Sequence, residues 1–411
     1  MMVAGEPEQT GNGSSALIRL LRVDRILTPA PVAANELLIA DGRVAALGRD
    51  LPVPTGWPVE VIDAPGLTAV PAFIDQHVHV TGGGGEGGCG TRCPPLTAAT
   101  VAANGIGTVV GVLGTDGISR TPADLLAGVR GLQAAGLSAW MYTGSYRVPP
   151  PTLTGDIQRD LAWVPEVLGV GEIALSDHRS SQPRFDEIAR LVADARVGGM
   201  LAGKRGICHF HIGDGERGLA LLHELLASTE IPADQVIPTH VNRRRGLLEE
   251  AVAFSLRHGA SVDVTAFDDA PGDDEHSAYH AVQYLLAAGV PAERITLSSD
   301  CNGSLPVFDE RGAYRGMRIA GNATLLGDWQ RLVREGVLSL EAALPLLGSN
   351  VARVLGLEAR KGRLEPGLDA DITLLDAELS PQRTYVAGRC LYAADRCEAV
   401  DVVATFADRN S

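Results

Sequence analysis

Four histidines and two carboxylates have the types and spacing to hold a metal ion. His77 and His79 are one residue apart in "FIDQHVH", His211 ends "HFH", His240 sits in "PTHVNR", and Asp300 closes "TLSSD". The sixth group is Glu172 in "GVGEIALSDHRS". Residues i and i+2 of a strand share a face, so His77 and His79 point together. Imidazole nitrogens and carboxylate oxygens converging on one cavity are the ligands that borderline metals such as Zn²⁺ prefer. His209 shares a face with His211, but His211 lies nearer the strand's end and is the expected ligand of the two. His178, His223, His258, His276 and His280 fall on loops or helices and are not expected to bind metal. Glu172 stands out because it lies within an apolar run, where a carboxylate without a partner costs several kcal/mol.

The elements that must position these groups alternate. Strand-like segments are "AVPAFIDQHVHV", "GTVVGVLG", "SAWMYTGSY", "VGEIALS", "GICHFHIGD", "QVIPTHVN", "SVDVTAF" and "RITLSSD". Between them lie stretches with apolar residues at helical spacing, among them "PADLLAGVRGLQAAG", "FDEIARLVADARVGG" and "GLLEEAVAFSLRHG". Eight β/α units predict an α/β fold of the TIM type, a (β/α)₈ barrel whose chemistry sits at the C-terminal ends of its strands. The flanks read differently. "ALIRLLRVDRILTP", "ELLIADGRVAALG" and "VEVIDAPGLTAV" near one end, and "GRLEPGLDADITLLDAEL" and "RTYVAGRCLYAADR" near the other, are short apolar runs broken by Asp-Gly and Pro-Gly turns. The two ends are expected to meet in one small β domain, residues 1–66 with 357–411, around a barrel of residues 67–356.

Composition narrows the partners. Fifty Asp and Glu against 35 Lys and Arg give a net charge of −15, which repels phosphate backbones and argues against nucleic acid. No apolar run approaches the roughly 18 residues of a membrane helix. The opening "MMVAGEPEQTGNGSS" lacks a basic then apolar signal, and six scattered cysteines make no disulfide framework, so a cytoplasmic protein is expected. Cys89 and Cys93 in "CGTRC" lack the second pair that a zinc site of that kind needs. The run Gly82 to Gly85 lacks the strand, helix and lysine of a phosphate loop.

"FIDQHVH", "THVNR" and "TLSSDCNGS" resemble the amidohydrolase superfamily. A wider set, "VPAFIDQHVHVTGGGGE", "GVLGTDGISR", "TGSYRVP", "SDHRS", "RVGGMLAGK", "FHIGD" and "PTHVNR", is similar to the isoaspartyl dipeptidases within it, from about residue 17 onward. The resemblance implies a barrel flanked by a β-sandwich and two zinc ions bridged by a hydroxide. One ion would take His77, His79 and Asp300, the other His211 and His240. The family's bridging ligand is a carboxylated lysine shortly before "SDHRS", and here the sequence departs: Glu172 occupies that place, and no lysine lies between Met141 and Lys204. A glutamate offers the same O–C–O group on a shorter arm, so Glu172 is expected to bridge directly. Its backbone must then approach the metals, through a bulge that Gly169 and Gly171 permit.

The resemblance also assigns roles. Asp300 would move the proton, and Tyr146 would donate a hydrogen bond to the oxyanion. Glu86 would pair with the α-amino group of a β-aspartyl dipeptide, Arg179 and Arg243 would hold its carboxylate, and Gly84, Thr115 and Ser304 would touch the aspartyl part. A homo-oligomer is implied as well. A cyclic-amide hydrolase or N-acyl-amino-acid deacylase would share the metals but not the two arginines, and a non-catalytic scaffold would have lost ligands that are intact here.

Overall fold

The computed structural model describes residues 18–267, 276–308 and 314–395. The N-terminal tail through Leu17, and Cys397, therefore lie outside the described residues. The turn-broken runs near the start become β1 (Ile18–Ile26), β2 (Glu36–Ala40), β3 (Arg43–Gly48) and β4 (Val59–Pro71). Asp41 and Gly42 make the β2–β3 turn with φ of 49° and 71°, a left-handed conformation that Asp and Gly tolerate.

The central segment supplies β5 (Phe73–Val78), β6 (Ile106–Gly111), β7 (Ser138–Thr143), β8 (Val167–Leu175), β9 (Ile207–Ile212) and β10 (Val236–Thr239). These six form one curled parallel sheet in sequential order. Then come β11 (Val262–Thr265) and β12 (Ile295–Ser298), a parallel pair, and β13 (Ser304–Phe308) and β14 (Tyr314–Ile319), an antiparallel hairpin. All eight expected strands are present, and β5 to β12 are their cores; the hairpin was not expected. The parallel pair is tied to both ends of the curled sheet. Val241 N donates to Asp263 O at 3.5 Å, and His79 N donates to Cys301 O at 2.8 Å. Inside, the Asp263 carboxylate accepts from Gln76 (2.6 Å), Thr296 (2.7 Å), Thr239 (2.7 Å) and Ser298 (2.6 Å), joining β5, β10, β11 and β12.

The helices follow from spacing and caps. Pro122–Ala134 begins with a Thr121–Asp124 capping box and buries Leu125, Val129 and Leu132 on the sheet. Phe185–Ala202 buries Ile188, Leu191, Val192 and Ala195, at helical spacing, and ends on Gly203 at φ 65°. Arg245–His258 buries Leu247, Leu248, Ala251 and Phe254. Among the described residues no helix is long and apolar enough to cross a membrane.

The chain closes with β15 (Ile372–Leu375), β16 (Pro381–Val386) and β17 (Arg389–Ala393). With β1 to β4 they form a separate seven-stranded sheet in the order β17-β16-β15-β4-β1-β2-β3. β4 pairs parallel to β1 and antiparallel to β15, so the two ends of the chain share one sheet, with its own core of Leu21, Ile26, Leu37, Ile39, Ile372, Leu374 and Tyr385.

Candidate metal centre

The parallel strands bring their polar ends to one place. His77 is the penultimate residue of β5 and His79 follows it; Glu172 lies inside β8, His211 near the end of β9, His240 just after β10 and Asp300 beyond β12. All six side chains are buried. His240 and Asp300 have φ of 61° and 52°, a left-handed conformation rare for such residues and held at about 1–3 kcal/mol, as is common at functional sites.

Glu172 faces all four histidines. Its Oε1 lies 3.5 Å from Nε2 of both His77 and His79, and its Oε2 lies 3.1 Å from His211 Nδ1 and 3.6 Å from His240 Nε2. Asp300 Oδ1 is 3.4 Å from His77 Nε2 and 3.0 Å from His79 Nε2. His77 Nε2, Glu172 Oε1 and Asp300 Oδ1 are buried without a hydrogen-bond partner. Buried polar atoms are normally satisfied. Two compact groups in which a cation would satisfy them are His77, His79 and Asp300, and His77, Glu172 and His240. The residues present thus fit a divalent metal.

Electrostatics agree. Burial opposes ionisation of Glu172, but His77 and hydrogen bonds from His211 and His240 hold its carboxyl well below the usual range. Asp300 is likewise opposed by burial and lowered by His77 and His79. Burial keeps His240 neutral, the form that binds metal.

The strand that carries Glu172 is irregular. In the β7–β8 pairing Tyr142 stands beside Gly169 while Met141 stands beside Val167, and in the β8–β9 pairing Ile173 follows Val170 where β9 advances only from Cys208 to Phe210. β8 therefore holds an extra residue against each neighbour. A Cβ on Gly169 would stand 2.1 Å from Ile207 O, and one on Gly171 would stand 2.8 Å from His209 Cβ. The Gly171–Glu172 peptide is cis.

Several side chains orient these groups from behind. His209 Nε2 is 2.8 Å from His77 Nδ1, and its ring stacks on Tyr142. Thr265 Oγ1 is 2.7 Å from His240 Nδ1, and Asp177 Oδ2 is 2.9 Å from His211 Nε2. Metal-ligating histidines commonly bond an outer partner in this way. Asp177 and Thr265 were not singled out from sequence: Asp177 reads as a turn residue after β8, and Thr265 as an ordinary β-branched strand residue.

Around this cluster lie the other expected residues. Tyr146 OH is 2.9 Å from His211 Nδ1, and burial holds its phenol protonated well above the usual range. Glu86 Oε1 accepts from Thr115 (3.1 Å) and Ser304 (3.0 Å) and lies 3.5 Å from Arg179. Gly84 has φ 83°, and a Cβ there would meet Thr91 O at 2.4 Å. The Arg243 guanidinium stands 5.7 Å over the Phe267 ring, and its nearest carboxylate, on Asp214, is 4.0 Å away. His178 is exposed, His223 and His258 bond each other, and Cys89, Cys93, Cys208 and Cys301 carry free thiols.

Residues 226–392 match the model of the amidohydrolase family. With the strand-end cluster, that makes the molecule a metal-dependent hydrolase of the amidohydrolase superfamily. The β-aspartyl dipeptidase of Fervidobacterium islandicum AW-1, solved in complex with a β-Asp-Leu dipeptide, is 39% identical, with 92% of this chain and 97% of that one covered and a TM-score of 0.85. A second structure of the same enzyme is 37% identical, over the same shares, at 0.82. The chain belongs to the β-aspartyl dipeptidase family. A dihydroorotase of Pelotomaculum thermopropionicum is 27% identical over 85% of this chain and 86% of its own.

Proposed function

We propose that this chain hydrolyses the β-aspartyl bond of dipeptides, with two zinc ions held between Glu172 and its neighbours. The observation that carries this reading is the charge pattern beside the cluster: one carboxylate, Glu86, fixed by Thr115 and Ser304, and two guanidiniums, Arg179 and Arg243. A β-aspartyl dipeptide carries one ammonium and two carboxylates, the complement of that set. His77, His79 and Asp300 would hold one ion, His211 and His240 the other, and Glu172 would give one oxygen to each in place of a carboxylated lysine. Bound there, divalent ions would lower the pKa of a water and polarise the scissile carbonyl. Asp300 is the base that takes the proton and passes it to the leaving amine. Tyr146, kept protonated by burial, donates to the oxygen on which charge develops. Glu86 orients the substrate's amine, and Gly84, Thr115 and Ser304 touch the aspartyl part.

The eight parallel strands are read as a closed TIM-type barrel over residues 67–356, and the seven-stranded sheet as the β-sandwich of residues 1–66 and 357–411. We assign the protein to the cytoplasm, as a homo-oligomer acting on small molecules rather than on nucleic acid or membranes.

The dihydroorotase likeness favours one second reading, a cyclic-amide hydrolase. Steady-state assays on β-Asp-Leu, α-Asp-Leu, dihydroorotate, hydantoins and N-acyl amino acids, with metal analysis, separate them. Turnover of β-Asp-Leu with near two zinc per chain is expected; turnover of cyclic amides or N-acyl amino acids alone overturns the proposal.

A further inference from the structure

Asp177 bonds both His211 and Arg179, which also approach each other directly, Arg179 Nη2 lying 3.4 Å from His211 Nε2. Asp177 Oδ2 is 2.9 Å from His211 Nε2 and accepts from Arg179 Nη2 at 2.7 Å, while its Oδ1 accepts from Arg179 Nε at 3.0 Å and from the Arg179 backbone at 2.7 Å. The imidazole has its other nitrogen 3.1 Å from Glu172, and the guanidinium has its third nitrogen 3.5 Å from Glu86. Asp177 is buried, and the loop after β9 closes on it: a Cβ on Gly213 would stand 2.5 Å from Asp177 Cβ. The carboxylate is therefore held in place and shared.

Sharing has a consequence for both partners. Arg179 is always charged and carries only donors, so its bonds draw the carboxylate's charge away from His211. An anion seated on Arg179 offsets that pull and leaves more negative charge for the His211 Nε2–H. The opposite nitrogen, Nδ1, then becomes the better electron-pair donor.

Building on the reading in which His211 holds a metal ion and Arg179 the dipeptide's carboxylate, we propose that Asp177 is a positioning residue that couples the two sites. Seating the carboxylate tightens the metal at His211, and by linkage the metal tightens carboxylate binding by the same factor. Departure of the product carboxylate relaxes both.

The test measures zinc affinity rather than turnover. Zinc binding to the intact enzyme is followed by competition with a fluorescent chelator, alone and with a saturating β-Asp-Leu isostere whose amide carbonyl is a methylene. A matched isostere has its C-terminal carboxylate replaced by a carboxamide. The carboxylate isostere should tighten the weaker zinc about fivefold or more, and the carboxamide should not. Asp177→Asn should bind that zinc about tenfold more weakly and lose the difference between the isosteres. Equal tightening by both isosteres in the unaltered enzyme overturns the proposal without any variant, as does a full carboxylate increment in Asp177→Asn. Failure of both isosteres to compete with β-Asp-Leu hydrolysis instead rejects the substrate reading.

Discussion

Glu172 offers its two oxygens to different pairs of histidines, and replacing one oxygen by an amide nitrogen presents N–H groups to one pair. Glu172→Gln should therefore lower zinc from near two to at most one per chain, read by mass spectrometry of the metal. It should also lower kcat/KM by a hundredfold or more. Because no lysine must be carboxylated, metal reconstitution of the unaltered enzyme should proceed equally with and without bicarbonate. Tyr146→Phe keeps the ring but removes the donor, so kcat should fall about 10²- to 10³-fold, the range for a lost oxyanion donor, with less change in KM. At this scale His77, His79, His240 and Asp300 were legible because strand ends and i, i+2 spacing leave little choice of direction. Asp263 was not, since its partners lie on other strands and nothing in its own segment names them; Asp177 was not, since its bonds to Arg179 two residues on make an ordinary turn and its bond to His211 crosses to β9.

β8 is an irregular element of the parallel sheet. Its extra residue against β7 and β9 carries Glu172 toward the cluster, and the glycines on either side of Val170 let it pass close to β9. Gly171→Ala would place a methyl 2.8 Å from His209 Cβ and 2.9 Å from His209 O, and His209 backs His77. The variant should lose metal stoichiometry and unfold at lower temperature. Gly131, in the helix Pro122–Ala134, has open space where an alanine methyl would stand, with nothing within 4 Å. Gly131→Ala should instead stabilise by about 0.5–1 kcal/mol and leave metal content unchanged. The sequence suggested the bulge because a glutamate must reach where a longer side chain reaches in the relatives. It did not disclose β13 and β14, whose Pro306 and Gly316 break the strand pattern. Nor could it show that His240 and Asp300 leave their strands in a left-handed turn.

Between the seven-stranded sheet and the parallel strands lies a buried lysine. Lys361 donates to Ser138 Oγ on β7 at 2.7 Å, pairs with Asp369 at 3.0 Å, and bonds Asp371, just before β15. Burial disfavours charge on Asp369, but Lys361 and then Arg360 hold its carboxyl below the usual range. A depressed folded value means that this pair stabilises the fold above the unfolded value of about 3.9, and that the contribution fades as pH falls from there toward the folded value. Lys361→Met would leave two buried carboxylates short of their cation, which typically costs about 3–5 kcal/mol. The variant should unfold several degrees below the unaltered protein at pH 7, in melts followed by circular dichroism. The gap should narrow as pH falls below about 4, through the range between the unfolded value of Asp369 and its lowered value in the folded, unaltered protein, because the stabilisation that the cation gives is lost there. A gap unchanged from pH 7 to pH 3 would mean that Lys361 acts by packing on Trp140, whose ring centre is 5.7 Å from its Nζ, and not by charge.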